Sequence, residues 1–435
     1  MSAARGTPRN LPRGRAARRA TLTLWAAVAI LAMAVFAWVV PSIGLASSSA
    51  SNPVPTGSVG SEPLVQAQQS LQAGRELVTD PPLNCPSAGR SADVACNTPG
   101  STDPAASTAV ARHSSGIPSS RQGAAMVYDA RDKYVLLFGG ATSSGGVLND
   151  TWTFVNGTWR NITPTLSPPA RASGNMVYDA QDGYVLLFGG CGAAFSWSAC
   201  SLYLNDTWTF EGGVWTKLSP SISPPFRVGG SMAFDGKDRY VVLFGGQISN
   251  PKGWPLKSDT WVFVGGNWTR LKLSVHPAAR SFANMVYDAK DGYVVLYGGS
   301  IHDQWLNDTW RFVKGHWTSL NLTHSPPVNW GGAMAYDVKD AYVLLFAGYS
   351  TNDTWEFHGG AWAEVSPATS PPLSVLASMV YDVRAHCVVL FGGWGTSGLI
   401  NYLWEYSSGN WTLGAQSSPL GPVRASPSQE GTAVT

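Results

Sequence analysis

Charged residues, histidine and cysteine are all scarce in this chain of 435 residues. Asp, Glu, Lys and Arg make up 13% of it, and it holds seven His and five Cys. The histidines are scattered, and the sequence has no Gly-x-Ser-x-Gly nucleophile elbow, no His-Glu-x-x-His motif and no phosphate-binding glycine loop. These absences argue against the hydrolase, metalloprotease and nucleotide-binding classes that such motifs mark, and no cofactor or metal is indicated.

The distribution of charge argues against nucleic acid as a partner. Six of the 29 basic residues lie in residues 1–20, which contain no acidic residue. The rest of the chain therefore carries 23 basic and 27 acidic residues and is mildly acidic. A nucleic-acid-binding domain normally carries a basic patch or stripe.

Residues 21–41 are predicted to form a transmembrane helix or a signal peptide. The run from Leu22 to Val40 contains no charged residue, and about 20 apolar residues suffice to cross a bilayer as a helix. The basic residues 1–20 would then form a cytoplasmic tail. Small residues at Gly44 and Ala46 offer a cleavage site for the alternative, a signal peptide, but the length favours an uncleaved anchor. Both interpretations place the remaining chain outside the cytoplasm.

The segments that flank the centre of the chain have low complexity. Residues 42–120 are rich in Ser, Pro and Ala and are predicted to form a stalk, and residues 414–435 form a Ser/Pro-rich tail. Two disulfides are predicted for an oxidising compartment, one pairing Cys85 with Cys96 and one pairing Cys191 with Cys200. Metal binding is the less favoured alternative, and Cys387 is expected to be a buried free thiol.

A repeat of roughly 50 residues occupies the centre of the chain. Each copy has an Asp, a small pair ten positions later, and two Trp residues seven positions apart. The Asp residues are Asp129, Asp179, Asp235, Asp288, Asp337 and Asp382. Each copy predicts four short antiparallel strands, here called a to d, with turns at Asp-Gly and Gly-Gly dipeptides. Repeats of this length and content are typical of propeller blades.

The double Gly that closes strand b, the aromatic residue on strand c and the Trp on strand d resemble the kelch repeat. The resemblance covers Arg121 to about Trp411. It implies an all-β, six-bladed kelch-type β-propeller over residues 121–413, here preceded by one N-terminal transmembrane helix and a low-complexity stalk. Kelch-like propellers include galactose oxidase and a sialic-acid epimerase, but the scattered His residues do not match a copper site of the oxidase type.

The loops between strands b and c are the variable part of the repeat. Only the interval from the small pair to the first Trp changes, taking values of 12, 18, 15, 11, 7 and 11 positions. These loops share a predicted face with the crossovers from strand d to the next strand a, and variable loops on a rigid scaffold usually carry binding. Their aromatic side chains are candidate ligand contacts, either exposed or filling gaps between blades. The Trp candidates are Trp197, Trp254, Trp305 and Trp394.

Four arginines are expected on the same face near the central channel, and two roles stay open for them. They lie eight positions before the Asp of blades 1 to 4 and are Arg121, Arg171, Arg227 and Arg280. A guanidinium fork could bind a carboxylate or phosphate of a ligand. Alternatively, each arginine pairs with the Asp that opens strand c of the same or a neighbouring blade. The parallel loss of Arg and Asp in blade 6 favours pairing.

Nine Asn-x-Ser/Thr sequons are possible glycan acceptors in an exported protein. Four of them belong to the repeat itself. The remaining candidates are Asn156, Asn161, Asn267, Asn321 and Asn410.

The sequence thus predicts a membrane-anchored module at the cell surface that binds a protein or has a structural role there. The alternatives are a carbohydrate-binding module and an epimerase-like enzyme that uses an Arg-lined channel mouth. The low content of acid and base residues near the loops weighs against catalysis.

Overall fold

The structure, a computed structural model, describes residues 116–195, 200–249, 253–328, 330–346, 348–349 and 351–414. The predicted membrane segment 21–41, most of the stalk, the tail after residue 414, Cys85, Cys96 and Trp197 lie outside this range. Within it, no helix has the length and apolar character needed to span a bilayer.

The described chain folds into six four-stranded antiparallel sheets, each built from consecutive strands. Blade 1 comprises β1 (Ala125–Asp129), β2 (Tyr134–Phe138), β3 (Thr151–Val155) and β4 (Thr158–Asn161). Blade 2 comprises β5 (Asn175–Asp179), β6 (Tyr184–Cys191), β7 (Tyr203–Glu211) and β8 (Val214–Leu218). Blade 3 comprises β9 (Ser231–Asp235), β10 (Tyr240–Phe244), β11 (Thr260–Val264) and β12 (Asn267–Leu271).

Blades 4 and 6 each carry an extra two-stranded hairpin between strands b and c. Blade 4 comprises β13 (Asn284–Asp288), β14 (Tyr293–Tyr297), β15 (Ser300–Ile301), β16 (Gln304–Trp305), β17 (Thr309–Val313) and β18 (His316–Ser319). Blade 5 comprises β19 (Ala333–Asp337), β20 (Tyr342–Phe346), β21 (Thr354–His358) and β22 (Ala361–Val365). Blade 6 comprises β23 (Ser378–Asp382), β24 (Cys387–Phe391), β25 (Trp394–Gly395), β26 (Gly398–Leu399), β27 (Leu403–Ser407) and β28 (Asn410–Leu413). The predicted all-β, six-bladed propeller is confirmed.

The core lies between the blades, which explains why strand b is apolar on both faces. Leu186 of blade 2 packs towards blade 3 and Leu187 packs towards blade 1, and both are completely buried. The strand d Trp fills the space between neighbouring blades. Its indole N–H donates to a Thr that opens strand c of the preceding blade, as in the bond of 3.0 Å from Trp215 to Thr151. The same bond joins four further blade pairs.

The ring closes by ordinary blade packing. Blades 6 and 1 each use four strands of their own, so no strand is exchanged between the described sheets. The hydroxyl of Ser378 donates to the carbonyl of Ala124 at 2.7 Å, and Trp159 packs on Phe391 with ring centroids 5.0 Å apart. Cys387 is a buried free thiol in the same cluster, as predicted.

Six residues at the inner end of the crossovers form a circle around the channel. Each lies six positions before the repeat Asp, and all six have positive φ between 51° and 68°. They are Gly123, Ser173, Gly229, Phe282, Gly331 and Leu376. Backbone N–H groups donate to the corresponding carbonyl of the preceding blade in five of these steps, at 2.6–3.4 Å. Positive φ costs an ordinary side chain free energy, so the circle must be held by the packing of the blades.

Candidate functional site

The b–c loops and the d–a crossovers form one face of the ring, here called the loop face. The backbone joins them directly, because Arg171 donates its N–H to Leu148 in the b–c loop of blade 1 at 2.9 Å. In return the N–H of Gly140 donates to the carbonyl of Arg171 at 2.8 Å. The variable loops therefore lie beside the crossovers, as predicted.

The four predicted arginines precede strand a instead of opening it. Arg121 lies four residues before β1, because the chain first bridges the b–c loop and then turns through the positive-φ residue. All four side chains are buried, with exposed fractions of 0–1%.

Each arginine pairs with the Asp that lies two positions before the strand c Trp of its own blade. Arg227 donates to both carboxylate oxygens of Asp259 at 2.8 and 3.0 Å, to the carbonyl of Gly245 at 2.8 Å and to that of Pro225 at 3.2 Å. Equivalent forks join Arg121 to Asp150, Arg171 to Asp206 and Arg280 to Asp308. The geometry matches the pairing interpretation. A ligand role would require the guanidinium groups to give up these partners.

The arginines also set the ionisation of their partners. Burial alone would raise the pKa of Asp206, Asp259 and Asp308, but the hydrogen bonds and charge of the arginines outweigh it and lower the pKa. The indole N–H of the strand c Trp donates to the same carboxylate at 2.6–2.8 Å in blades 1 to 4. Arg, Asp and Trp thus form one hydrogen-bonded unit in these blades, with the arginine buried in each.

Outside these pairs, the loop face is nearly free of charge. Its loops and crossovers contain five other charged residues, namely Lys252, Lys257, Lys272, Asp303 and Asp353. The opposite face differs, because each a–b turn begins with a buried Asp and five of the six turns carry Lys or Arg. Depletion of charge together with aromatic enrichment is typical of the core of a protein interface.

The loop face carries a continuous row of aromatic rings across blades 4 and 5, here called the aromatic ridge. It runs from Phe282 to Trp330, Tyr349 and Trp305, with successive ring centroids 5.5, 6.2 and 4.8 Å apart. Phe282 belongs to the circle around the channel, and Trp305 lies on β16. Trp305 is 37% exposed and Tyr349 is 50% exposed.

The predicted loop aromatics therefore divide into exposed and packed residues. Trp254, 50% exposed, lies in the b–c loop of blade 3, and Trp305 belongs to the ridge. Trp394 is half-buried on β25, where it pairs with Leu399. The pattern of residue types did not single out Phe282 and Trp330. Only their positions in the repeat could have indicated that they face the channel mouth. Phe282 lies six positions before the repeat Asp, and Trp330 lies one position after the arginine position.

The longest b–c loop, in blade 2, is closed by the predicted disulfide between Cys191 and Cys200. Its Phe195 is 4% exposed and donates its N–H to Gly145 in the loop of blade 1 at 2.9 Å. Phe195 packs with Val228 and Val375 in an apolar cluster near the channel mouth. Phe282 and Trp330 of the ridge pack against the same cluster, so Trp305 and Tyr349 are the ridge residues that leave aromatic surface exposed.

The described residues contain no group of three or more His, Cys, Asp or Glu side chains that could hold a metal ion. The sequon residues Asn156, Asn267 and Asn321 are exposed, and Asn161 and Asn410 are half-buried. Asn161 and Asn410 each accept a hydrogen bond from the N–H of a threonine, at 3.0 Å in both cases. Glycosylation of these residues stays a prediction.

Residues 96–263 match the family model described as the KLHDC2/KLHL20/DRC7 Kelch-repeats domain. A comparison with curated proteins gave no match. The matched segment covers the first blades of the ring, and the same repeat continues through blade 6. The family match over residues 96–263 and the six four-stranded blades together support a kelch-repeat β-propeller.

Proposed function

We propose that this propeller is a protein-binding module whose partner docks on the aromatic ridge of the loop face. Kelch propellers generally bind proteins, and the observation that carries the proposal here is the exposure of Trp305 and Tyr349 on a face with little charge. Tyr and Trp supply large contact areas and dominate binding energy at interfaces. The buried arginines act as scaffold in this proposal and do not contact the partner.

We further propose that the module acts outside the cytoplasm, held at the membrane by residues 21–41. The uncharged run after six arginines supports this location, and so does the disulfide between Cys191 and Cys200, since disulfides persist in oxidising compartments. A fusion reporter at each terminus of the full chain tests it. Activity from a C-terminal reporter that functions only in the cytoplasm would contradict the proposed orientation.

Site-specific photo-crosslinking on intact cells tests the docking surface. A benzoyl-phenylalanine placed at Tyr349 is expected to give a discrete protein adduct. The same group at Val214, which is 59% exposed at the start of β8 and borders the c–d turn of blade 2 on the opposite face, serves as the matched control. Trp305→Ala should reduce the adduct at position 349 by roughly tenfold or more, because hot-spot aromatics contribute about 2 kcal/mol or more.

Two results would contradict the proposal. Equal adducts from positions 349 and 214 would show no preference for the ridge. Adducts that disappear after glycosidase treatment would favour the carbohydrate-binding alternative, since exposed aromatic rings also suit stacking on sugars. Trp254→Ala separates the ridge from the neighbouring loop of blade 3, and we expect it to leave the adduct unchanged.

A further inference from the structure

Blades 1 to 4 show four times how this fold binds a guanidinium group. In each, an arginine lies between the carboxylate that opens strand c, the carbonyl of the first small residue and the carbonyl two positions before the arginine itself. The strand c Trp donates to the same carboxylate. The unit therefore has a cation, an acceptor and a second donor that fixes the acceptor.

Blade 5 keeps the acceptor and the Trp but lacks the arginine. Asp353 stands at the start of strand c, and the sequence has Asn at position 329, where the other blades have Arg. Asp353 is half-buried and forms no ion pair or hydrogen bond with any residue that the structure describes. Blade 6 has lost both members, with Ser374 and Tyr402 at the two positions.

Two donors beside Asp353 have no partner among the described residues. The side chain of Trp355 is only 4% exposed, and its indole nitrogen is buried without a hydrogen bond to any of those residues. The hydroxyl of Thr351 is also buried and unpaired. Buried polar groups are normally satisfied, and each exception calls for an explanation. In blades 1 to 4 the corresponding indole is satisfied by the carboxylate that the arginine orients.

A neighbouring side chain holds the crossover in place without the arginine. The hydroxyl of Tyr297 donates to the carbonyls of Pro326 and Pro327 at 3.0 and 2.8 Å. In blades 1 to 4 the arginine Nε uses the carbonyl equivalent to that of Pro327. The carbonyl of Pro327 thus has a donor in blade 5, whereas the carboxylate of Asp353 lacks a cation among the described residues.

We propose that Asp353 receives an arginine or lysine side chain of the partner protein, which takes the place of the missing internal arginine. This inference rests on the proposed function, because Asp353 follows Tyr349 of the aromatic ridge by four residues. The loop that joins them is the shortest of the six b–c loops. A cation there orients the carboxylate as in blades 1 to 4 and gives the indole of Trp355 an acceptor. The partner therefore presents a basic residue next to apolar side chains.

Indole resonances of the full chain test the site with a defined probe. N-acetyl-arginine methylamide is titrated into the protein labelled with 15N-tryptophan, and the neutral analogue N-acetyl-citrulline methylamide is the matched control. We expect a saturable shift of the Trp355 indole signal, assigned with Trp355→Phe, for the arginine compound alone. Asp353→Asn should abolish it. Equal shifts with both compounds, no shift, or a shift that survives Asp353→Asn would overturn the proposal.

A second variant supplies the cation internally. Asn329→Arg should move the Trp355 indole signal without added ligand and make the protein unresponsive to the arginine compound. If Asn329→Arg leaves the signal and the response unchanged, position 329 does not address Asp353 and the inference fails.

Peptide selection separates this inference from the proposed function. A displayed library is selected against the full chain, and we expect enriched peptides to contain Arg or Lys and to lose roughly 10- to 100-fold in affinity on Asp353→Asn, the range of a charge-assisted hydrogen bond. Peptides that require Trp305 but tolerate Asp353→Asn refute the inference and keep the ridge as the binding site. Binding that tolerates Trp305→Ala refutes the proposed function, even if the arginine compound still shifts Trp355.

Discussion

Replacement of Arg227 by Ala is expected to destabilise the propeller more than almost any other single change. The side chain has no exposed surface, and its partner Asp259 is 8% exposed. The substitution removes the fork, leaves Asp259 with the indole N–H of Trp261 as its remaining side-chain donor, and leaves two carbonyls without the arginine that bonded them. Removing one partner of a buried ion pair costs roughly 3–5 kcal/mol, because the remaining charge stays buried and unpaired.

The loss should depend on pH in a defined direction. In the wild type, Arg227 holds the pKa of Asp259 below its usual value in spite of burial. A carboxyl group with a lowered pKa in the folded state stabilises the protein above its unfolded pKa, and this contribution is lost as the pH falls through the folded pKa. Without Arg227, burial dominates and raises the pKa of Asp259. Protonation in mild acid then relieves the unpaired charge, so the difference from wild type should shrink.

Urea unfolding of the full chain at about pH 7 and about pH 5 measures the effect. Asp259→Asn in the Arg227→Ala background is the matched control, since it removes the buried charge and should restore part of the stability. A loss below about 1 kcal/mol near neutral pH would refute the structural role. Unchanged stability together with lost ligand binding would instead support the ligand interpretation of the arginines.

Three further substitutions test the inter-blade contacts and the glycine pairs. Trp215→Phe removes the hydrogen bond to Thr151 together with part of the buried indole, and urea unfolding should show a loss of at least about 1–2 kcal/mol. The loss should be smaller in a Thr151→Val background, because only the packing contribution then remains. Gly299→Ala should cost more than about 2 kcal/mol, because φ is +94° and the new Cβ would meet the carbonyl of Ser281 at 2.8 Å; soluble protein with wild-type stability would contradict this. Burial, followed by the charge of Asp182, raises the pKa of Asp179 to about 6, so that stability present at low pH is lost as the pH rises through that value. Asp179→Asn should therefore stabilise the protein near neutral pH and flatten the pH dependence of its stability between about pH 4 and 6. An unchanged pH profile would count against this prediction.

Reduction of the Cys191–Cys200 disulfide completes the set, and it should lower the free energy of unfolding by about 2–4 kcal/mol. Burial, followed by the charge of Glu405, raises the pKa of the Cys387 thiol to about 12. This buried thiol should therefore resist modification by maleimide until the protein unfolds.

The repeat made the architecture predictable from sequence. The fixed distance from Asp to the small pair sets strands a and b, and the distance between the Trp residues sets strands c and d. Strand direction then places all the variable loops on one face. The co-occurrence of Arg and Asp in blades 1 to 4 indicated the pairing, because both positions fall at the same end of the blade.

The site depended on distances between blades, which no local pattern encodes. Phe282, Trp330, Tyr349 and Trp305 come from one crossover of blade 4, one of blade 5 and two b–c loops. Their contact follows from the circle of positive-φ residues, which brings the crossovers together at the channel. The sequence could show that Asp353 lacks an arginine, but not that the indole of Trp355 lacks a partner too.

The sequence by itself determined the number of blades, the strand order and the position of the variable loops, because these follow from spacing along the chain. The tertiary structure alone decided that the arginines are buried, that the ring closes without strand exchange and that the aromatic ridge is continuous. Those properties depend on how neighbouring blades pack, which brings together side chains that lie tens of residues apart in the sequence.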